Sequence, residues 1–273
     1  MTEAVRVGLV AGATRGAGRA IAVELARAGF YVYATGRRSR TTGPSEIGRP
    51  ETIEETGDLI AAAGGAGAAL VVDHEDPASV GELVSAIEGD HGRLDVLVND
   101  IFGGDRYMEW DKPLWEHDWA GGLRMLQMGV HTHLITCRAA IPLVLRTAEA
   151  LGTRGLVVEM TDGTSQANAE FRRNVGFYYD LVKANVERIV KGLSAELEDS
   201  PVTAVGVTPG RLRGEDAGEL RRQRGELAGR LPRTSRLRDL RVAYLCGQRR
   251  CCTRQGRRRR ALGRHDRQRS PPR

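Results

Sequence analysis

Val7-Gly8-Leu9-Val10-Ala11-Gly12-Ala13-Thr14-Arg15-Gly16-Ala17-Gly18-Arg19-Ala20-Ile21-Ala22-Val23-Glu24-Leu25-Ala26 is the stretch that decides the fold. An apolar run of strand length, Val5 to Ala11, passes through a glycine cluster straight into a segment of helical period. Glycines at such a turn let the backbone approach a ligand, and the helix that follows presents unpaired N–H groups suited to a pyrophosphate. A glycine cluster elsewhere would read as a flexible turn. The order strand, cluster, helix makes this one specific.

The same alternation continues downstream. Short apolar runs at Phe30 to Ala34, Ala68 to Val72, Leu94 to Val98, Leu156 to Met160 and Val202 to Val207 read as strands. Helical stretches separate them: Ala17 to Ala28, Glu51 to Ala63, Ala78 to Glu88, Trp115 to Arg146 and Gly176 to Glu198. Gly121, Gly122 and Pro142 are expected to break the fourth. Strands that are apolar throughout imply burial on both faces, so the expectation is an α/β fold: a doubly wound parallel sheet of Rossmann type. One domain spans residues 1–210, and residues 41–50, rich in Gly, Pro and Ser, form a surface loop.

Charge divides the chain in two. Residues 211–273 hold 21 Arg, no Lys and 6 acids, so the tail is strongly basic while residues 1–210 are net acidic. The overall pI of 9.4 therefore says nothing about nucleic-acid binding by the folded part. Cys137 stands alone in the body, with Cys246, Cys251 and Cys252 in the tail, so no disulfide framework is expected there. The N-terminus lacks the pattern of a secretion signal and no apolar run is long enough to span a membrane, so the sequence reads as a soluble cytoplasmic protein.

Two further sets of residues carry chemistry. A site for NAD usually ends its second strand in an acid that holds the ribose 2′-hydroxyl. Here that strand ends in Ala34-Thr35-Gly36-Arg37-Arg38, and Arg37 with Arg15 offers a charge-assisted grip on a 2′-phosphate, which favours NADP over NAD. Tyr179 and Lys183 lie four apart on a helical stretch and so share a face. A free tyrosine is a poor acid–base near neutrality, but an adjacent ammonium stabilises the phenolate and lowers its pKa.

Together these residues resemble the short-chain dehydrogenase/reductase family, through its T-G-x-x-x-G-x-G cofactor loop and its Y-x-x-x-K pair. The resemblance covers residues 5–210 and is nearest to a subgroup carrying Met-Thr-Asp-Gly-Thr and Tyr-Asp-Leu-x-Lys. It implies that Gly12, Thr14, Arg15, Gly16, Gly18, Arg37, Asp73, Asn99, Lys183, Pro209 and Gly210 bind the cofactor, with Asp73 at the adenine and Pro209-Gly210 beside the nicotinamide. The chain departs from the family at several positions. Ala11 replaces the Thr that opens the cofactor loop, and Asp100 replaces the second Asn of N-N-A-G. Asp162 aligns with the catalytic Ser. Thr161 and Thr164 offer hydroxyls nearby, and Ser165 stands fourteen residues before Tyr179. The helical Asn that serves the family's proton relay aligns with Gly129.

Trp110, Trp115 and Trp119, with Phe102 and Met108, bring apolar bulk to the segment after the fourth strand, as a substrate pocket, as helix packing or as a subunit interface. His131 and His133 face different directions on their helix, so no metal site is expected. The resemblance implies an NADP-dependent oxidoreductase that interconverts a small carbonyl compound and an alcohol, with Tyr179, Lys183, Thr161 and Asp162 as its catalytic set, and a homo-oligomer built through the fourth and fifth helices. The rival readings are a dinucleotide-binding protein without turnover and a tail acting as a nucleic-acid arm. The tail after Arg213 reads instead as the product of a shifted frame in GC-rich DNA: Glu215-Asp216-Ala217-Gly218-Glu219 can be encoded so that loss of one base yields Glu-Met-Leu-Glu, which resembles the subgroup's continuation.

Overall fold

A computed structural model of the chain describes residues 4–43 and 45–210. The Arg-rich tail, its three cysteines and the reading-frame expectation lie outside the described residues.

Six strands, β1 (Val7–Ala11), β2 (Tyr31–Gly36), β3 (Ala66–Val71), β4 (Val96–Asn99), β5 (Gly155–Met160) and β6 (Val202–Val207), form one sheet in the order β3-β2-β1-β4-β5-β6. Every neighbouring pair is parallel. The crossovers are α1 (Gly16–Arg27), α2 (Ile53–Ala62), α3 (Pro77–His91), α4 (Trp119–Leu126) with α5 (Thr132–Leu151), and the short α6 (Ser165–Ala169) with α7 (Phe177–Glu196). The chain winds outward from β1 to β3, returns to β4 beside β1, and winds the other way to β6. This topology opens a crevice at the carboxyl ends of β1 and β4, where such sheets bind ligands.

Period-two alternation sends successive strand residues to opposite faces and so builds two cores. Val7, Leu9, Leu97 and Val157 pack with Val80 and Ile87 of α3 and with Leu143 and Val144 of α5. Val10, Val32, Val98 and Met160 pack with Ala22 and Ala26 of α1 and with Ile53 and Ile60 of α2. β3, an outer strand, is half-buried: Ala68 and Leu70 pack against one core and Ala69 against the other, while Ala66, Gly67 and Val71 are exposed.

Helix ends follow local chemistry. Asp76 accepts from the amides of Ala78 and Ser79, Pro77 occupies the first turn, and Gly92 closes α3 in the left-handed region. The long fourth stretch does not break at Gly121-Gly122 or Pro142, which lie inside α4 and α5; the helical backbone runs on from Trp119 to Leu151 through a π-helical segment over Gln127–His131. Gly121 and Gly122 serve packing instead, since a Cβ at Gly122 would lie 2.2 Å from the Tyr178 ring.

Candidate active site

At the end of β1 the amides of Gly12 and Ala13 both donate to Thr35 O, at 3.1 and 2.8 Å, which fixes the glycine loop to the end of β2. Close approach dictates two of its glycines. A Cβ at Gly12, where φ is +86°, would lie 2.4 Å from Asp100 O, and one at Gly18 would lie 2.4 Å from Gly12 O. Gly16, by contrast, faces open space. Helix α1 begins there with no cap from the Arg15 side chain and no acid in its first turn; Asp100 takes the Gly18 amide, and the partial positive charge and the N–H groups ahead of Gly18 face the site of an anion. This donor set, with Thr14 buried behind it and Arg15 at the N-cap, fits the pyrophosphate of a dinucleotide.

Asp100 closes the inner wall of the loop. Burial pushes its carboxyl up to about 6, against the attraction of Lys183 and a hydrogen bond from the Gly18 amide. Arg15 is largely desolvated, which lowers its pKa, with Asp105 and Glu51 among the charges that oppose the shift.

At the end of β2, Arg37 is half-exposed, and its guanidinium is already engaged. It pairs with Glu75 at 2.6 Å and with Glu46 at 3.5 Å, and Arg124 of α4 bridges the same two carboxylates. Asp73 is exposed after β3 and accepts from the Glu75 amide at 3.0 Å. Asn99 is turned inward and wholly buried, donating to Glu159 at 2.7 Å and to Cys137 at 3.3 Å, so its side chain does not reach the crevice. Glu159 also takes a 2.5 Å hydrogen bond from buried His133, whose other ring nitrogen meets Ile101 O at 3.0 Å. Burial alone would lower the His133 pKa, but Glu159 outweighs it and the net shift is upward. His131 is exposed, and among the described residues no group of three potential ligands could hold a metal. Pro209 and the exposed Gly210 follow β6, whose last residue, Val207, accepts from the Thr161 amide at 2.9 Å.

Helix α7 brings Tyr179 and Lys183 to the same edge. The Tyr179 hydroxyl donates to Asp162 Oδ2 at 3.1 Å, and Arg172 holds Asp162 at 3.3 Å and Asp180 at 2.7 Å. Burial and then Asp162 raise the phenol, opposite in direction to the lowering that the Tyr-Lys spacing implied. The Lys183 ammonium, lowered by burial, lies 3.9 Å from the centroid of the Phe102 ring, which meets Tyr179 edge-on at 5.7 Å. Of the three candidate hydroxyls, Thr161 donates to Lys183 O at 3.0 Å, Thr164 caps α6, and Ser165 Oγ is buried with no hydrogen-bond partner among the described residues. Asp162, at the position aligned with the family Ser, is the group on Tyr179. Gly129 lies in the π-helical segment, where a Cβ would meet Val182 at 2.5 Å and the Phe102 ring at 3.1 Å, so no Asn fits there without repacking.

Phe102 and Met108 pack inward beside Met125, Tyr178 and Val182, whereas Trp110, Trp115 and Trp119 are exposed. Sequence reasoning missed Phe102 as the face under Lys183, Arg172 as the counter-ion of Asp162, and the carboxylates on Arg37. Only Arg172, in the loop just before the Tyr179 helix, carried a local signal.

A family model described as Enoyl-(Acyl carrier protein) reductase matches residues 12–240. Among curated proteins, Dehydrogenase/reductase SDR family member 1 of Mus musculus is 27% identical over 213 residues, covering 77% of this chain and 61% of the relative's length. A 3beta-hydroxysteroid dehydrogenase of Mediterraneibacter gnavus is 26% identical over 210 residues, 75% of this chain and 65% of its own. The chain thus spans less than two thirds of these relatives. Among solved structures, the NADH-dependent reductase A1-R' complexed with NAD superposes with a TM-score of 0.62 at 25% identity, covering 77% of this chain and 80% of the other. A short-chain dehydrogenase from Streptomyces avermitilis gives 0.62 at 25% identity, covering 78% and 68%.

Proposed function

The chain belongs to the short-chain dehydrogenase/reductase family, and from that premise we propose that it is a cytoplasmic, NADP-dependent oxidoreductase interconverting a small carbonyl compound and an alcohol. The observation that carries the proposal is the convergence of three groups on one sheet edge: the start of α1 with Arg15, the buried Lys183 ammonium, and the Tyr179 hydroxyl in hydrogen bond with Asp162. Bound NADPH supplies the hydride.

The chain's own residues manage the proton. Tyr179, its pKa raised, is protonated at neutral pH and therefore acts as a donor in the reductive direction. A substrate carbonyl oxygen takes the place of Asp162 as acceptor of the Tyr179 O–H, and Arg172 holds the displaced carboxylate. Once the proton has left, the Lys183 ammonium four residues along the helix stabilises the phenolate. Gly12, Thr14, Gly16 and Gly18 shape the phosphate cradle, Arg15 and Arg37 serve the phosphates, and Asp73, Pro209 and Gly210 border the two ends of the cleft. Asn99 acts from beneath, as part of the buried Glu159 cluster. Exposed apolar side chains on the fourth helical stretch, Trp115, Trp119, Leu123 and Leu134, and on the fifth, Leu181 of α7, support self-association through those two stretches.

Titration with NADPH and NADH, followed by a screen of aldehydes and ketones, tests the reading. NADPH is expected to bind more tightly and to be oxidised by at least one carbonyl class. Binding of neither nucleotide refutes it. One observation favours a second reading, a dinucleotide-binding protein without turnover: among the described residues no Ser or Thr hydroxyl bonds Tyr179, which meets a carboxylate. NADPH binding with no turnover across the screen selects that reading.

A further inference from the structure

We propose that Glu46 limits the preference for a 2′-phosphorylated cofactor: its carboxylate competes internally with a ribose 2′-phosphate for the guanidinium of Arg37. The proposal rests on reading the cleft as a dinucleotide site.

Arg37 is the first residue after β2, and carboxylates from two separate segments meet its terminal nitrogens. Glu75, fixed after β3, takes Nη1 at 2.6 Å, and Glu46, on the loop between β2 and α2, lies 3.5 Å from Nη2. Among the described residues two guanidinium groups, Arg37 and Arg124, face these two carboxylates, so a 2′-phosphate reaches Arg37 by displacing one of them. Glu46 is the weaker of the two ties on Arg37 and has an alternative anchorage. Arg124 donates to it at 2.9 and 2.8 Å, the Tyr107 hydroxyl donates at 2.7 Å, and Arg106 binds its backbone oxygen. A phosphate can therefore take Nη2 from Glu46 while the loop stays tied to α4. Arg124 and Tyr107 also keep Glu46 ionised, with its carboxyl held at about 2, so the competition persists at every pH at which the protein would be assayed.

A phosphate monoester carries nearly two charges at neutral pH, whereas a ribose hydroxyl carries none. Repulsion by Glu46 therefore falls on the 2′-phosphorylated nucleotide alone. This separates charge competition from a general effect on the pocket.

Adenosine 2′,5′-bisphosphate and 5′-AMP differ only in the 2′-phosphate and are the probes of choice, titrated calorimetrically into the full chain. Glu46→Gln, which retains the side chain's size, is expected to tighten the bisphosphate about five- to tenfold and to leave 5′-AMP within about twofold, with the gain shrinking as salt is raised. Glu46→Ala, checked for folding by circular dichroism, should show the same selectivity should the Gln variant fail to fold. An unchanged affinity ratio in the folded variant, or equal tightening of both nucleotides, overturns the role of Glu46 while leaving the dinucleotide reading intact. Binding of neither probe to wild type or variant overturns both.

Discussion

Replacing Asp100 by Asn should stabilise the protein, and only above a defined pH. The Asp100 carboxyl is buried against the Gly18 amide, which Asn can still bond through its own carbonyl oxygen. In the folded chain the group titrates at about 6, against about 3.9 when unfolded. The folded state therefore prefers the protonated form. Between these two values the unfolded chain sheds its proton first, so stability falls as pH rises through the window and levels off above it. Two pKa units correspond to about 2 to 3 kcal/mol of lost stability at pH 7, or a Tm lower by about 5 to 10 °C for a domain of this size. The attraction of Lys183 is already contained in the folded-state value, so the neutral Asn avoids the penalty that remains. Urea denaturation of wild type and Asp100→Asn from pH 4 to pH 8 measures it. The two curves should nearly coincide at the acid end, separate between about pH 4 and 6, and run parallel above, with Asn the more stable. A stability difference that is constant with pH would refute the reasoning.

Gly122→Ala puts a methyl 2.2 Å from the Tyr178 ring and should cost about 1 to 3 kcal/mol by overpacking, read as a lower denaturation midpoint. Glu159→Ala strips buried His133, Asn99 and Cys137 of a shared partner and should cost about 3 to 5 kcal/mol in the same assay. A loss below about 1 kcal/mol would show that the cluster rearranges. Beyond Arg213 we expect the nucleotide sequence to contain an alternative frame with continued apolar periodicity, and a stop codon met first in both other frames excludes the frame shift.

Much of this arrangement is written locally. Val7 to Ala11 runs into Gly12–Gly18 because a buried strand, a turn with positive φ at Gly12 and Gly16, and a helix start without an acid in its first turn each leave a mark within a few residues. Tyr179 and Lys183 are equally legible, since helical spacing alone puts them on one face. What stays hidden depends on segments far apart in sequence. Nothing near Arg37 announces Glu75, nor does anything near Lys183 announce Phe102, because the sheet topology makes these neighbours. Asn99 shows the limit of motif reading: its place at the end of β4 suggested the crevice, but Glu159 on the adjacent strand draws it into the core. The π-helical segment around Gly129 escaped for a related reason. Gly121 and Pro142 look like breakers, whereas the π-helical turn lies where Phe102 and Val182 press on the helix.

The proton-donor role of Tyr179 is tested most directly by comparing Tyr179→Phe with wild type in NADPH oxidation against a carbonyl that wild type reduces, with NADPH binding measured in parallel. Only the hydroxyl is lost, so turnover should fall by about 10²- to 10⁴-fold while the Kd for NADPH stays within about threefold. A variant that keeps most of the wild-type rate would contradict the account and move the acid–base role to Asp162.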